Sequence, residues 1–214
     1  MRAFVITIKD NPKSVEMSNR CIESYKKHCN NNIEQFNAIT PEQDPFSLAE
    51  SYKIPLHNFR EKYSRYDRVI SAFLSHFSLW KKCIELNESI IIFEHDAVVT
   101  NKIPVLPFNG LVNIGAPSYG RFKTPTLGLG KLISKQYLPG AHAYGITPKG
   151  AQAIIEQTIF NAGPTDVFLN TRLFPWLEEY YPWPVECKDE FTTIQNETGC
   201  LAKHNWGQDY GIIW

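Results

Sequence analysis

The stretch Ser89-Ile90-Ile91-Ile92-Phe93-Glu94-His95-Asp96 constrains this chain more than any other. Its β-branched apolar run reads as a buried strand that ends abruptly on three ionisable side chains. Strand side chains alternate faces. If the backbone stays extended through the tip into Ala97-Val98-Val99, Glu94 and Asp96 therefore point to one side and His95 to the other. Two carboxylates on one face, at the carboxyl end of a central strand, suit a hard cation. Taken alone, the same tip reads first as a solvated acidic cap.

The segment before it, Val69 to Leu86, has the clearest helical spacing, with Ile70, Phe73, Phe77, Trp80 and Ile84 on one face. His76 lies close to that stripe, so two roles stay open for the Ser75-His76 pair: an interior histidine held by a structural hydrogen bond, or a ligand-facing group. The rest of the chain alternates in the same way. Ala3 to Ile8 reads as a strand, followed by a helix with Asp10 or Asn11 as cap and Pro12 at its first position. Ile33 to Ala38 and Leu111 to Ile114 read as further strands. A strand from Gly140 feeds a helix capped by Thr147 with Pro148 in its first turn. This pattern predicts an α/β sandwich over residues 1–214, a single domain with a mostly parallel central sheet flanked by helices.

Three stretches fit that scheme less directly. Thr40 to Asp67 is long for a loop, which implies a functional flap or a short helix, and it leads into four cations between Arg60 and Arg68 that are suited to phosphate or to solvent. Gly163-Pro164-Thr165-Asp166 opens a helical run from Val167 to Leu173 and puts a carboxylate at its start. The tail from Phe174 is dense in aromatics, among them Trp176 and Trp183, which serve either packing or the stacking of sugar rings.

Composition removes several function classes. Lys plus Arg and Asp plus Glu balance at 22 each, so no global field exists to hold nucleic acid. No apolar run approaches the ~20 residues of a membrane span, which leaves at most a peripheral membrane contact. The chain starts on a strand-like segment rather than a signal peptide, and its five cysteines form no Cys-x-x-Cys pair, so a cytoplasmic setting is expected.

Ile70-Ser71-Ala72-Phe73-Leu74-Ser75-His76-Phe77-Ser78-Leu79-Trp80, followed by Ile91-Ile92-Phe93-Glu94-His95-Asp96-Ala97-Val98, resembles the Leu-Ser-His…Trp helix and Glu-Asp-Asp strand of glycosyltransferase family 25. Val5-Ile6-Thr7-Ile8, Phe36-Asn37-Ala38-Ile39 and His142 to Ala151 are similar to its other blocks in order and spacing. That family includes bacterial lipopolysaccharide galactosyltransferases and collagen galactosyltransferases. His95 stands where the family has a middle acid, and Lys9-Asp10-Asn11-Pro12-Lys13 replaces its Arg-rich signature.

The resemblance implies a GT-A-like fold and a metal-dependent, inverting transfer of a hexose, galactose or glucose, from a UDP-sugar to a glycan or lipid-linked saccharide. It implies that residues 1–110 bind the nucleotide sugar and residues 111–214 the acceptor. Glu94, Asp96 and His204 would hold Mn2+ or Mg2+, and Arg68, Ser75, His76 and His142 would surround the donor. Asp166 would be the catalytic base, with Glu178 and Asp209 in reserve, and Trp176 and Trp183 would stack on the acceptor. The contrasting expectation is a non-catalytic saccharide-binding module in which His95 marks the loss of metal chemistry.

Overall fold

The computed structural model of the chain describes residues 1–60, 64–117, 121–139, 141–187 and 193–194. The first strand, β1 (Arg2–Thr7), leads into helix α1 (Pro12–His28). Of the two expected caps Asn11 is the one used: its side-chain oxygen accepts from the backbone N–H groups of Lys13 and Ser14, and Pro12 opens the helix. Strand β2 (Ile33–Asn37) follows. The long segment after it contains a short helix, α2 (Pro45–Ser51), capped by Asp44, between single turns at Pro41–Gln43 and His57–Phe59. Helix α3 (Tyr66–Leu86) then delivers β3 (Ile90–Glu94).

Beyond β3 the chain runs through β4 (Ala97–Val99), β5 (Leu111–Asn113), β6 (Gly128–Lys131) and β7 (Ala143–Ile146). Helix α4 (Pro148–Asn161), capped by Thr147 as its sequence predicts, is followed by α5 (Thr165–Phe168), β8 (Glu178–Tyr181) and β9 (Val185–Cys187). The helix expected through Leu173 is thus a single turn. Asn170 ends it: its amide nitrogen donates to the Val167 and Phe168 carbonyls, while its oxygen accepts from the N–H groups of Arg172 and Leu173.

Seven strands form the central sheet in the order β2-β1-β3-β7-β5-β8-β6. The pairings β2/β1, β1/β3 and β5/β8 are parallel, whereas β7 runs antiparallel to both its neighbours and β6 antiparallel to β8. Strand β3 lies between β1 and β7 and is buried along Ile90–Phe93, as its apolar run predicts. Ile90 and Ile92 enter the core that contains Phe73, Leu74 and Trp80 of α3, while Ile91 and Phe93 enter the opposite core with Cys21 and Tyr25 of α1. Helix α4 packs beside α3, and its first turn approaches the sheet closely: a Cβ on Gly150 would sit 2.4 Å from the Gly110 carbonyl oxygen. Glycine alone permits that contact.

Candidate functional site

The carboxyl ends of β1, β3 and β5 and the amino end of the antiparallel β7 share one edge of the sheet. Such an edge is where open α/β sheets present their ligands. Here the chain departs from the expectation of an extended tip: β3 stops at Glu94, His95 and Asp96 form a turn, and β4 leaves the central sheet to pair antiparallel with β9. The ladder from Val185–Cys187 draws Ala97–Val99 away, and the turn sends the three ionisable side chains in different directions.

Glu94 meets α3, with Oε1 3.1 Å from His76 Nε2. His95 meets α1, with Nδ1 3.1 Å from Ser14 Oγ, which also accepts from the Ile8 N–H at 2.9 Å. Asp96 meets β9 and accepts from the Cys187 thiol at 3.0 Å. The expected pairing of Glu94 and Asp96 on one face is therefore corrected: the turn separates them. Burial pushes the His95 imidazole below its ordinary pKa, Asp96 opposing that shift and Arg20 adding to it. The buried Cys21 thiol is pushed up to about 12 by burial, with the Asp96 charge adding and Arg20 opposing.

Three side chains expected around a donor are interior. Ser75 is 1% exposed, donates to the Ser71 carbonyl and accepts from the Ile39 N–H, so it ties the exit of β2 to α3. His76 is equally closed, between Tyr144 and Glu94, and burial pushes its imidazole down to about 3. It is neutral at pH 7. His142 precedes β7, and its carbonyl accepts the Glu94 N–H at 3.0 Å. Its ring lies over Gly115, where a Cβ would fall 2.4 Å from Nε2. Gly115→Ala is accordingly expected to lower stability by roughly 2 kcal/mol through overpacking, read as a drop in melting temperature; an unchanged melt would show that the ring shifts freely. Arg68 lies at the start of α3 and donates to the Thr193 carbonyl at 3.2 Å.

Asp166 lies in the single turn of α5, half-buried, beside Lys135 and Tyr137. Burial lowers the Lys135 pKa against the pull of Asp166, and burial raises that of Tyr137 with the Asp166 charge adding to it. Glu178, a reserve for the base, accepts from the Asn109 N–H at the opposite end of β8 from Tyr181. Trp176 packs edge-on against Phe174, and its ring covers Gly110, where a Cβ would fall 2.4 Å away. Trp183 forms a T-shaped cluster with Phe122 and Tyr181. His204 and Asp209 lie outside the described residues.

The structure adds residues that sequence reasoning left without a role. Tyr144 and Trp80 complete the surroundings of His76. Glu179, 1% exposed, accepts from the N–H groups of Ile133 and Ser134 and so anchors the loop that carries Lys135. A tyrosine in the otherwise small Ala143-Tyr144-Gly145 strand was the one available signal. Among the described residues no group of three or more His, Cys, Asp or Glu side chains is gathered closely enough to hold a metal, and no helix is long and apolar enough to cross a membrane.

Residues 1–106 match the model of glycosyltransferase family 25, described as LPS biosynthesis protein. The match covers just under half of the chain and falls on the stretch whose Ser75-His76 helix and acidic strand tip resemble that family. Among solved structures, the chain is similar to the glycosyltransferase GlyE of Streptococcus pneumoniae TIGR4, at 14% identity and a TM-score of 0.44, over 84% of this chain and 45% of that one. The chain thus spans less than half the length of that structure. No curated protein matches the chain.

Proposed function

We propose that the chain is a glycosyltransferase that moves a hexose, galactose or glucose, from a UDP-sugar to a glycan or lipid-linked saccharide, with inversion at the transferred carbon. The observation that carries this reading is the Glu94-His95-Asp96 turn. It lies within the family 25 match and opens at the carboxyl end of a central strand. The description of that family as LPS biosynthesis protein suits a lipid-linked acceptor. The five cysteines form no Cys-x-x-Cys pair, which accords with a reducing, cytoplasmic setting, and a GT-A-like arrangement accords with the mixed sheet.

The chemistry asks for two things. The bond from the sugar's anomeric carbon to the diphosphate breaks as the bond to the acceptor oxygen forms, so negative charge grows on the leaving group while the acceptor hydroxyl loses a proton. Asp166 would take that proton, and its neighbours Lys135 and Tyr137 would orient the carboxylate. For the diphosphate, the hard oxygens of Asp96 and Glu94 fit Mg2+ or Mn2+ in donor type. Such an ion is commonly held by one or two carboxylates, with substrate phosphates and water completing the shell, so one of the two separated carboxylates would suffice as the protein's share. His204 is the further ligand proposed from sequence. When bound, the cation would neutralise charge on the leaving diphosphate. Trp176 and Trp183, both half-buried, would meet a saccharide ring with their open faces.

Cleavage of UDP-galactose and UDP-glucose by the purified chain tests this reading. UDP release that requires manganese and stops with a chelator is expected; no release from any nucleotide sugar, with or without acceptor, overturns it. Asp166→Asn is expected to preserve donor binding and slow transfer to an acceptor by roughly a hundredfold or more, and loss of donor binding would reassign Asp166 to the nucleotide site. A second reading, a saccharide-binding module without catalysis, draws on His95: a half-buried imidazole held by Ser14 stands where the family has an acid. It predicts glycan binding without UDP release.

A further inference from the structure

Trp80, Tyr144, His76 and Glu94 are joined in line across the α3 face of the sheet. Trp80 Nε1 is 2.9 Å from the Tyr144 hydroxyl, that hydroxyl is 2.8 Å from His76 Nδ1, and His76 Nε2 is 3.1 Å from Glu94 Oε1. The first three side chains are closed to solvent, whereas the Glu94 side chain keeps 29% of its surface open.

Every proton in this line has one place to go. An indole nitrogen only donates, so the Tyr144 oxygen accepts from Trp80. The Tyr144 proton then goes to His76 Nδ1. Were Nδ1 protonated instead, two N–H groups would converge on one hydroxyl whose own proton would be buried without an acceptor. A neutral imidazole that accepts at Nδ1 carries its proton on Nε2, and that proton points at Glu94 Oε1.

We propose that His76 is a positioning residue: the chain Trp80 to Tyr144 to His76 fixes one imidazole tautomer and, through it, holds Glu94 as a hydrogen-bond acceptor in one rotamer at the carboxyl end of β3. Trp80 and His76 lie one turn apart on α3 and Tyr144 on β7, so packing of the helix on the sheet sets the aim of the carboxylate. The part of the proposal that concerns turnover rests on the glycosyl-transfer reading; the tautomer does not.

Two measurements test it. In the wild-type chain carrying 15N-labelled histidine, with His76 assigned by comparison with His76→Gln, the ring nitrogens are expected to show a proton on Nε2 and a bare Nδ1 at pH 7. A proton on Nδ1, alone or in an imidazolium, overturns the proposal. In kinetics, a glutamine at 76 can place an amide N–H near the Nε2 position, whereas asparagine reaches only the Nδ1 position. Among variants matched for folded fraction by circular dichroism, His76→Asn is expected to lose about tenfold or more in kcat for UDP-sugar cleavage relative to His76→Gln, with the donor KM moving much less. Equal losses in the two variants would reduce His76 to core filling and overturn the positioning role. If the wild-type chain cleaves no nucleotide sugar, the glycosyl-transfer reading fails, and the nitrogen spectrum decides the tautomer lock by itself.

Discussion

Asp96→Ala is expected to lower manganese-dependent release of UDP from its donor by at least about a hundredfold, the scale on which a group that stabilises developing charge acts. The side chain sits on a turn held from outside itself. His95 is fixed to Ser14 of α1, and Ala97–Val99 are paired with β9, so the backbone at 95–96 keeps its path without the carboxylate. One of the contacts of Asp96, that with Cys187, comes from a thiol, a weak donor. Folding should therefore survive the change, and circular dichroism melts would separate a lost function from a lost fold. Asp96→Asn, which keeps the shape and removes the charge, is expected to fail equally. Full activity in either variant would remove Asp96 from the site.

Tyr144→Phe should produce the largest loss of stability for the smallest change of shape. The ring stays, stacked against His76 with centroids 5.8 Å apart, and only the oxygen is lost. That oxygen serves two closed partners, the Trp80 N–H and His76 Nδ1, and its removal leaves both buried without a substitute. At about 1–3 kcal/mol for each orphaned group, a cost of about 3 kcal/mol follows, or a fall in melting temperature of roughly 6–12 °C for a chain of this size. A double-mutant cycle sharpens the test. Trp80→Phe removes the donor that Tyr144→Phe strands, so the double variant is expected to lose clearly less than the sum of the single ones. Strict additivity would show that the indole and the hydroxyl do not interact.

Local signals gave most of the elements. Asn11 with Pro12, and Thr147 with Pro148, mark α1 and α4 because a capping oxygen and a fixed φ act within one turn. The pattern Asp44-Pro45 marks α2 by the same rule, within a stretch long enough to be mistaken for a flap. What escaped was set at a distance. Ala97-Val98-Val99 continues the apolar character of β3, and nothing in it announces a turn at His95; the cause is a ladder with residues 185–187. Strand direction was equally hidden, since β7 has the pattern of any buried strand and only its long-range pairings set it antiparallel. In the candidate site, the residue types were legible and their orientations were not. Ser75 and His76 stood out in the sequence, but their inward aim depends on Ile39, Tyr144 and Glu94.

The reversed strand β7 also decides how the molecule can be divided. Residues 143–146 fill the gap between Ile90–Phe93 on one side and Leu111–Asn113 on the other, so within residues 1–106, the stretch similar to family 25, the last strand of the central sheet, β3, lacks one neighbour. A fragment cut at that border would offer an unpaired, apolar edge to any other chain. The segment that closes the edge brings His142 and Tyr144 with it, next to Glu94. Shielding the core and furnishing the surroundings of Glu94 are thus one event in assembly, completed only when the second half of the polypeptide has arrived.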